Sequence, residues 1–349
     1  MKILIREYGD NAKIVGVADH SGCAEDPGGL NHEELLRLFH QELCISNFDT
    51  SKLGGSGGIL HICDTEEGTK ARNTMHNRLV TDAFVPCGGR PNTIDANNYK
   101  EFICDDGITP SSKLIVEGAN LFVNAEARQK LYEDAGVMIV KDSSANKGGV
   151  ITSSYEICAA MLATEDEFFA NKDVIVEEVL AKLRGYAKSE AELLFTEADI
   201  YGESLPEVSE IISNAINSAT DALSVALDSL SPEEQNELTP FFRNHLPRTL
   251  ADLGFDKVHE NVPEQYIKNA IASTLASKMV YKEGTRFINS LPKTRLADTA
   301  LLYIHKEKEV AKLMDSLEQT TDISSEEKDK ILELLDAGGA RTALSLSDL

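Results

Sequence analysis

The chain has 349 residues, 42% of them hydrophobic, with 34 Lys and Arg against 58 Asp and Glu, a formal net charge of −24. That surplus of negative charge repels phosphate backbones and excludes a nucleic-acid partner, while it favours solubility. No apolar run approaches the ~18 residues of a membrane span, so no membrane partner is expected, and the length suffices for two domains with sizeable cores.

Residues 1–8 read as the tail of a helix, charged and apolar, without the small-residue cleavage site of a signal peptide. Residues 14–18 (IVGVA) form a short apolar strand that ends in Asp19, and a helix follows over about 32–43. Residues 51–58 (SKLGGSGG) are the richest glycine cluster. No strong strand precedes them and the six-residue dinucleotide fingerprint does not fit, so a surface loop is expected rather than a phosphate cradle. Further strands are expected between 79 and 86 around Ala83-Phe84-Val85, at 114–116 and at 137–140, with a helix over about 124–135. Short apolar strands joined by helices predict a parallel sheet covered on both faces.

From about Leu162 the pattern is helical only. Residues 174–194, 208–230 and 265–283 carry apolar side chains at three- and four-residue steps, so each buries one stripe. Ser231-Pro232-Glu233-Glu234 and the pair Ser324 and Glu327 predict capped helix starts, and Pro247, Pro263 and Pro292 punctuate the rest. The residues after Gly338-Gly339 are expected to fray.

Six cysteines (Cys23, Cys44, Cys63, Cys87, Cys104, Cys158) include no C-x-x-C pair, and five lie in the α/β half. They read as reduced thiols of an intracellular soluble protein, cytoplasmic or mitochondrial. His61, Cys63 and Cys87 match no zinc-ligand spacing, and no metal is expected.

Two polar stretches carry the chemistry. Glu117-Gly118-Ala119-Asn120 follows the strand at 114–116, and residues 145–156 (ANKGGVITSSYE) follow the strand at 137–140. Two strands of a parallel sheet thus end in asparagines, Asn120 and Asn146, each leading into a helix. Open α/β sheets hold ligands at the carboxyl ends of their strands. An amide offers two donors and an acceptor, which suits a carboxamide or a sugar hydroxyl. Paired glycines admit a ligand to the backbone, and a helix start offers free N–H groups. Loop capping is the competing reading for each asparagine alone.

VEGANLF at 116–122 and ANKGGVITSSYE at 145–156 resemble the cofactor domain of the amino-acid dehydrogenases, most closely the large NAD-specific glutamate dehydrogenases. The resemblance runs from residue 1 to about 165, and His245-Leu246-Pro247 and Ala276-Ser277-Lys278-Met279-Val280-Tyr281 extend it into the helices. It implies NAD as cofactor, with Asn120 and Asn146 on the carboxamide and ribose. Cys87 and Gly88, after the 83–85 strand, would pass close to the nicotinamide ribose, although a small buried core residue is an equal reading of Cys87. Ser153 would bind near the substrate carboxylate with Val150 lining the same pocket. Asp19 would take the adenosine ribose position, favouring NAD over NADP; a turn-forming aspartate before Ser21-Gly22 is the alternative. Arg90 reads as a partner in a surface salt bridge, with contact to a phosphate or carboxylate as the alternative.

The chain departs from that family in one respect. The ribose acid normally follows the glycine-rich phosphate turn by ~20 residues, and only 18 precede Asp19. The first strand, its glycine turn and the substrate domain with the catalytic lysine and aspartate are therefore expected ahead of Met1, and no catalytic residue is assigned. Lys147 lies in the cofactor loop and is not that lysine. The expected fold is α/β, a Rossmann-like parallel sheet lacking its first strand and glycine turn over 1–163, then an all-helical region over 164–349. The implied function is the cofactor-binding portion of an oxidoreductase interconverting L-glutamate and 2-oxoglutarate, a homo-oligomer when full-length. A sister amino-acid dehydrogenase and a non-catalytic association protein are the alternatives.

Overall fold

Strand direction separates the two sheets of the first half of the chain. A computed structural model describes residues 1–54, 57–291, 296–320 and 323–347, in two units, Met1–Asn146 and Lys147–Leu349. In the first unit, helix α1 (Lys2–Tyr8) leads to strands β1 (Gly16–Asp19) and β2 (Gly22–Glu25), then α2 (His32–His40) and β3 (Ile59–Ile62). These strands form an antiparallel sheet in the order β1-β2-β3, with Asp19 opposite Gly22 and Ala24 opposite Leu60. The expectation that residues 14–18 begin a parallel series is therefore corrected. Only His20 and Ser21 separate β1 from β2, whereas a parallel crossover needs a dozen or more residues. Beneath this sheet lies a core of Ala24, Leu30, Leu35, Leu38, Ile45 and Phe48.

After α3 (Glu66–Asn73) and α4 (Met75–Arg78) comes the expected parallel sheet. It comprises β4 (Thr81–Phe84), β5 (Ser112–Val116) and β6 (Met138–Val140), paired Ala83 to Leu114 and Leu114 to Met138. Helix α5 (Ala125–Ala135) crosses from β5 to β6. Asn124 caps its start by accepting from the Ala127 N–H, and Gly136 ends it at φ 65°, a left-handed value glycine adopts without strain. The short α6 (Asp142–Ala145) closes the unit. Its core gathers Ile94, Phe102, Ile115, Val123, Leu131 and Ile139.

The described part of the glycine cluster folds on an acid. Buried Asp26 accepts from Gly28 N at 2.8 Å and from Gly54 N at 2.6 Å. A buried carboxylate at that point would repel a phosphate. Gly55 and Ser56 lie outside the described residues.

The second unit runs through α7 (Gly148–Leu162), α8 (Glu165–Tyr201), α9 (Leu205–Asp228), α10 (Pro232–His245), α11 (Arg248–Gly254), α12 (Val258–Asn261), α13 (Glu264–Ser290), α14 (Leu296–Gln319) and α15 (Ser325–Ser347). The helices expected at 174–194 and 208–230 start earlier, because Thr164 with Glu167 and Ser204 with Glu207 form capping boxes. Ser324 and Glu327 form the expected box, and Pro247 and Pro263 stand at the N-caps of α11 and α13. α9 buries Val208, Ile212, Ala215, Ala219 and Leu223 in one stripe, and α13 packs along it. Gly284, at φ 79°, kinks α13. Of the tail expected to fray after Gly338-Gly339, α15 continues helically to Ser347, and Asp348 and Leu349 lie outside the described residues. The expected cap at Pro232–Glu234 and the break at Pro292 fall on side chains and residues outside those described. α7 lies in the helical unit: its Cys158 thiol meets the Tyr266 hydroxyl at 3.6 Å, and the Tyr155 ring lies 5.3 Å from that of His245. Among the described residues no helix is long and apolar enough to cross a membrane.

Each unit encloses a histidine without charge. His76 stacks on Phe84 with ring centroids 5.2 Å apart, and His245 stacks on Phe242. Burial, aided by the nearby charges of Arg78 and Lys182, lowers each to about 4. The unfolded chain therefore takes up these protons first. The stabilisation is complete above the unfolded value near 6.5 and is lost as pH falls through that value toward the folded one. Each should account for roughly 2 kcal/mol of lost stability between about pH 7.5 and about pH 5 in urea denaturation. His76→Leu should remove its share of that slope; an unchanged slope would refute the assignment.

Candidate functional site

The parallel sheet delivers three turns to one edge. Beyond β4 the chain turns at Pro86-Cys87, beyond β5 at Glu117–Asn120, and beyond β6 through α6 to Asn146. Pro86 O accepts from the Ala119 N–H at 2.8 Å, tying the first turn to the second. A Cβ on Gly118 would lie 3.3 Å from Pro86 O and 3.4 Å from the Cys87 thiol, so a side chain there would crowd the two turns. Asn146 Nδ2 donates to Asn120 Oδ1 at 2.5 Å. That bond uses one donor and one acceptor. The amides keep three donor positions and the Asn146 carbonyl for a ligand, no further partner of theirs being present among the described residues. Asn120 is exposed and Asn146 half-buried.

A buried ion network fixes this edge, and none of its roles is apparent from residue spacing. Glu117 is fully buried. It accepts from the Val123 N–H at 2.8 Å and from Arg128 Nε, on α5, at 2.8 Å. Arg128 also reaches Asp142, on α6, at 3.2 Å, and Asp142 accepts from the Leu121 N–H at 2.9 Å. Leu121 is held at φ 54°, a left-handed conformation costing a non-glycine residue roughly 1–2 kcal/mol. The usable signal was Glu117 itself, since a glutamate between an apolar strand and a tight turn requires a cation.

Cys87 and Gly88 are exposed on the turn beyond β4, so the reading of Cys87 as a small core residue is corrected. Arg90 is exposed as well. Asp19 ends β1 in the other sheet. Its Oδ1 accepts from Ser21 N at 2.7 Å and Ser21 Oγ at 2.6 Å, and its Oδ2 from Ile45 N at 2.8 Å. Burial alone would raise its carboxyl, but these hydrogen bonds outweigh it and hold the carboxyl below the usual range. Asp19 thus does what a turn-forming aspartate does, and Oδ2 keeps a lone pair for a further donor. His61, Cys63 and Cys87 do not gather; among the described residues the ligand-bearing group that does is Asp19, His20 and Cys44.

In the helical unit, Val150 is 78% exposed on the first turn of α7. Ser153, also exposed, donates to Gly149 O at 3.0 Å. Lys147 is engaged elsewhere, in an ion pair with buried Glu190 at 2.7 Å, and Glu190 also accepts from the Tyr281 hydroxyl.

An α/β unit presenting polar turns at the carboxyl edge of a parallel sheet has the arrangement in which open α/β folds hold their ligands. A sequence profile of the Glutamate/Leucine/Phenylalanine/Valine dehydrogenase family matches residues 3–205, and the chain belongs to that family. It is 35% identical over 292 residues to a probable NAD-specific glutamate dehydrogenase of Schizosaccharomyces pombe, covering 78% of this chain and 26% of that protein. The NAD-specific glutamate dehydrogenase of Saccharomyces cerevisiae is 37% identical over 311 residues, covering 78% and 28%. Glutamate dehydrogenase 2 of Dictyostelium discoideum is 36% identical over 296 residues, again covering 78% and 28%. The chain spans about a quarter of the length of these relatives.

Arg128→Ala leaves Glu117 buried without a cation and should cost about 3–5 kcal/mol in urea denaturation at neutral pH. The double change Glu117→Gln with Arg128→Met should recover much of it. A loss below about 1 kcal/mol for Arg128→Ala would show that the pair is solvated.

Proposed function

We propose that this chain is the coenzyme-binding portion of an NAD-dependent dehydrogenase acting on L-glutamate, with 2-oxoglutarate and ammonia as products. The observation that carries it is the bond between Asn120 and Asn146, which brings two amides from successive strand ends to one rim. Their remaining donors and acceptor match a carboxamide and a ribose hydroxyl, so the residues fit a nicotinamide nucleotide. Cys87 and Gly88 border the same rim and leave backbone accessible to the ribose. Asp19 offers the free lone pair of Oδ2 to the adenosine ribose and repels a 2′-phosphate, which favours NAD over NADP. The names of the yeast relatives support the same coenzyme and substrate.

When bound, the nicotinamide accepts the hydride that leaves the amino-acid Cα. In this chain Asn120 and Asn146 orient the ring, and Glu117 with Arg128 and Asp142 keeps the two turns from moving apart. Val150 and Ser153 are assigned to the substrate side by the G-G-V-x-x-S pattern. To serve a substrate carboxylate, Ser153 turns its hydroxyl proton away from Gly149 O. The cofactor domain is proposed to end at residue 163, because the family resemblance runs to about residue 165, although α7 packs within the helical unit. Homo-oligomers are proposed for the full-length enzyme, on the family alone.

Calorimetric titration of NAD tests the reading. Asn120→Ala and Asn146→Ala should each weaken binding about 3- to 10-fold, the worth of a neutral hydrogen bond, and the double variant by less than the product. Unchanged affinity in both would remove the amide pair from the site. Asp19→Ser should weaken NAD binding more than NADP binding; equal losses would remove Asp19 from the ribose position.

A further inference from the structure

Asp19, His20 and Cys44 are brought together from two segments that sequence spacing does not connect. One ligand atom from each lies within 4.8 Å of the other two, and Cys44 Sγ stands 3.7 Å from His20 Nε2. We propose that these three side chains bind a thiophilic divalent cation of the zinc class, through one carboxylate oxygen, one imidazole nitrogen and the Cys44 thiolate.

The geometry is near that of a tetrahedral site. Zinc bonds of ~2.0 Å to nitrogen and oxygen and ~2.3 Å to sulfur set ligand atoms roughly 3.3–3.7 Å apart. The sulfur–nitrogen separation already meets that value. The remaining closure, up to about 1.5 Å, calls for side-chain rotation of Cys44 and of His20, which is exposed. The two segments are held together beneath the site. The Ile45 N–H donates to Asp19 Oδ2 at 2.8 Å and the Ser46 N–H to Ser21 Oγ at 3.1 Å, stitching the segment that carries Cys44 to the β1–β2 turn. The Ser21 bonds to Asp19 Oδ1 orient the carboxylate as outer-shell partners orient ligands in metal sites.

The donor set decides the metal. Thiolate with imidazole selects zinc, cobalt and nickel, while magnesium and calcium prefer oxygen alone. Three protein ligands leave the fourth position to water or another ligand, so an exchangeable, inhibitory cation fits better than a permanent structural one. On binding, the Cys44 thiol releases its proton to solvent. The cation site stands without the proposed function. Mutual exclusion of cation and coenzyme rests on that reading, because both would claim Asp19.

The test uses the full chain after chelator treatment, titrated with Zn2+ by calorimetry and with Co2+ by absorbance. Expected are one cobalt per chain, a thiolate-to-cobalt charge-transfer band lost in Cys44→Ser, and zinc affinity at least about ten-fold weaker in Cys44→Ser and His20→Gln. Cys104→Ser should leave both unchanged, and Mg2+ should not compete. Absence of the band, its survival in Cys44→Ser, or unaltered zinc affinity in His20→Gln would overturn the proposal. NAD titration of the zinc-saturated chain separates the two readings. Weaker NAD binding places both ligands on Asp19. Unaltered NAD binding with intact zinc binding removes Asp19 from the coenzyme site and leaves the cation site standing.

Discussion

The ion pair between Glu117 and Arg128 is the interaction on which the carboxyl edge of the parallel sheet depends. Glu117 has no solvent exposure and lies one residue beyond β5. Bare, its charge would be expelled or neutralised. Paired, it reaches three elements at once: the strand end that bears it, the Val123 amide after the turn, and α5 through Arg128. Arg128 then passes the constraint to Asp142 on α6. Such networks seldom stabilise more than well-packed hydrocarbon would, but they discriminate sharply between one arrangement and its neighbours. Here the arrangement selected holds Leu121 in a left-handed conformation and sets Asn120 against Asn146. Strain in the backbone and placement of the amides have a common cause.

Parts of this were open to reading from residue order. The strands at 83–85, 114–116 and 137–140 are apolar runs bounded by polar turns, and the helix between the last two announces itself through Asn124 and Gly136. Adjacent strand ends must meet, so two asparagines in like positions were bound to be neighbours if the sheet was parallel. The first sheet was harder. β2 consists of Gly22, Cys23, Ala24 and Glu25, a buried strand with almost no hydrophobic pattern, and its pairing with β1 turns on a two-residue link. A β-branched run would have signalled it; small residues in a tight space do not.

Contacts between distant segments were the least legible. Nothing in the spacing of Asp19 and Cys44 relates them, and only the turn of chain after α2 brings them together. Arg128 looks like any polar residue on an amphipathic helix until Glu117 is known to be buried. Lys147 shows the converse. It sits in the most informative stretch of the chain, yet its ammonium is committed to Glu190 within the helical unit. Pattern located the important loops, and packing decided which side chains in them were available.

Asp19 serves as the clasp of its own hairpin, accepting three internal donors while ending β1. An engineer seeking to switch coenzyme preference would naturally begin at that carboxylate. Any replacement lacking two acceptor oxygens also unfastens the link to Ile45, so altered selectivity would arrive together with a loosened scaffold. Redesign is better directed at His20, whose exposed ring lies beside the clasp without fastening it.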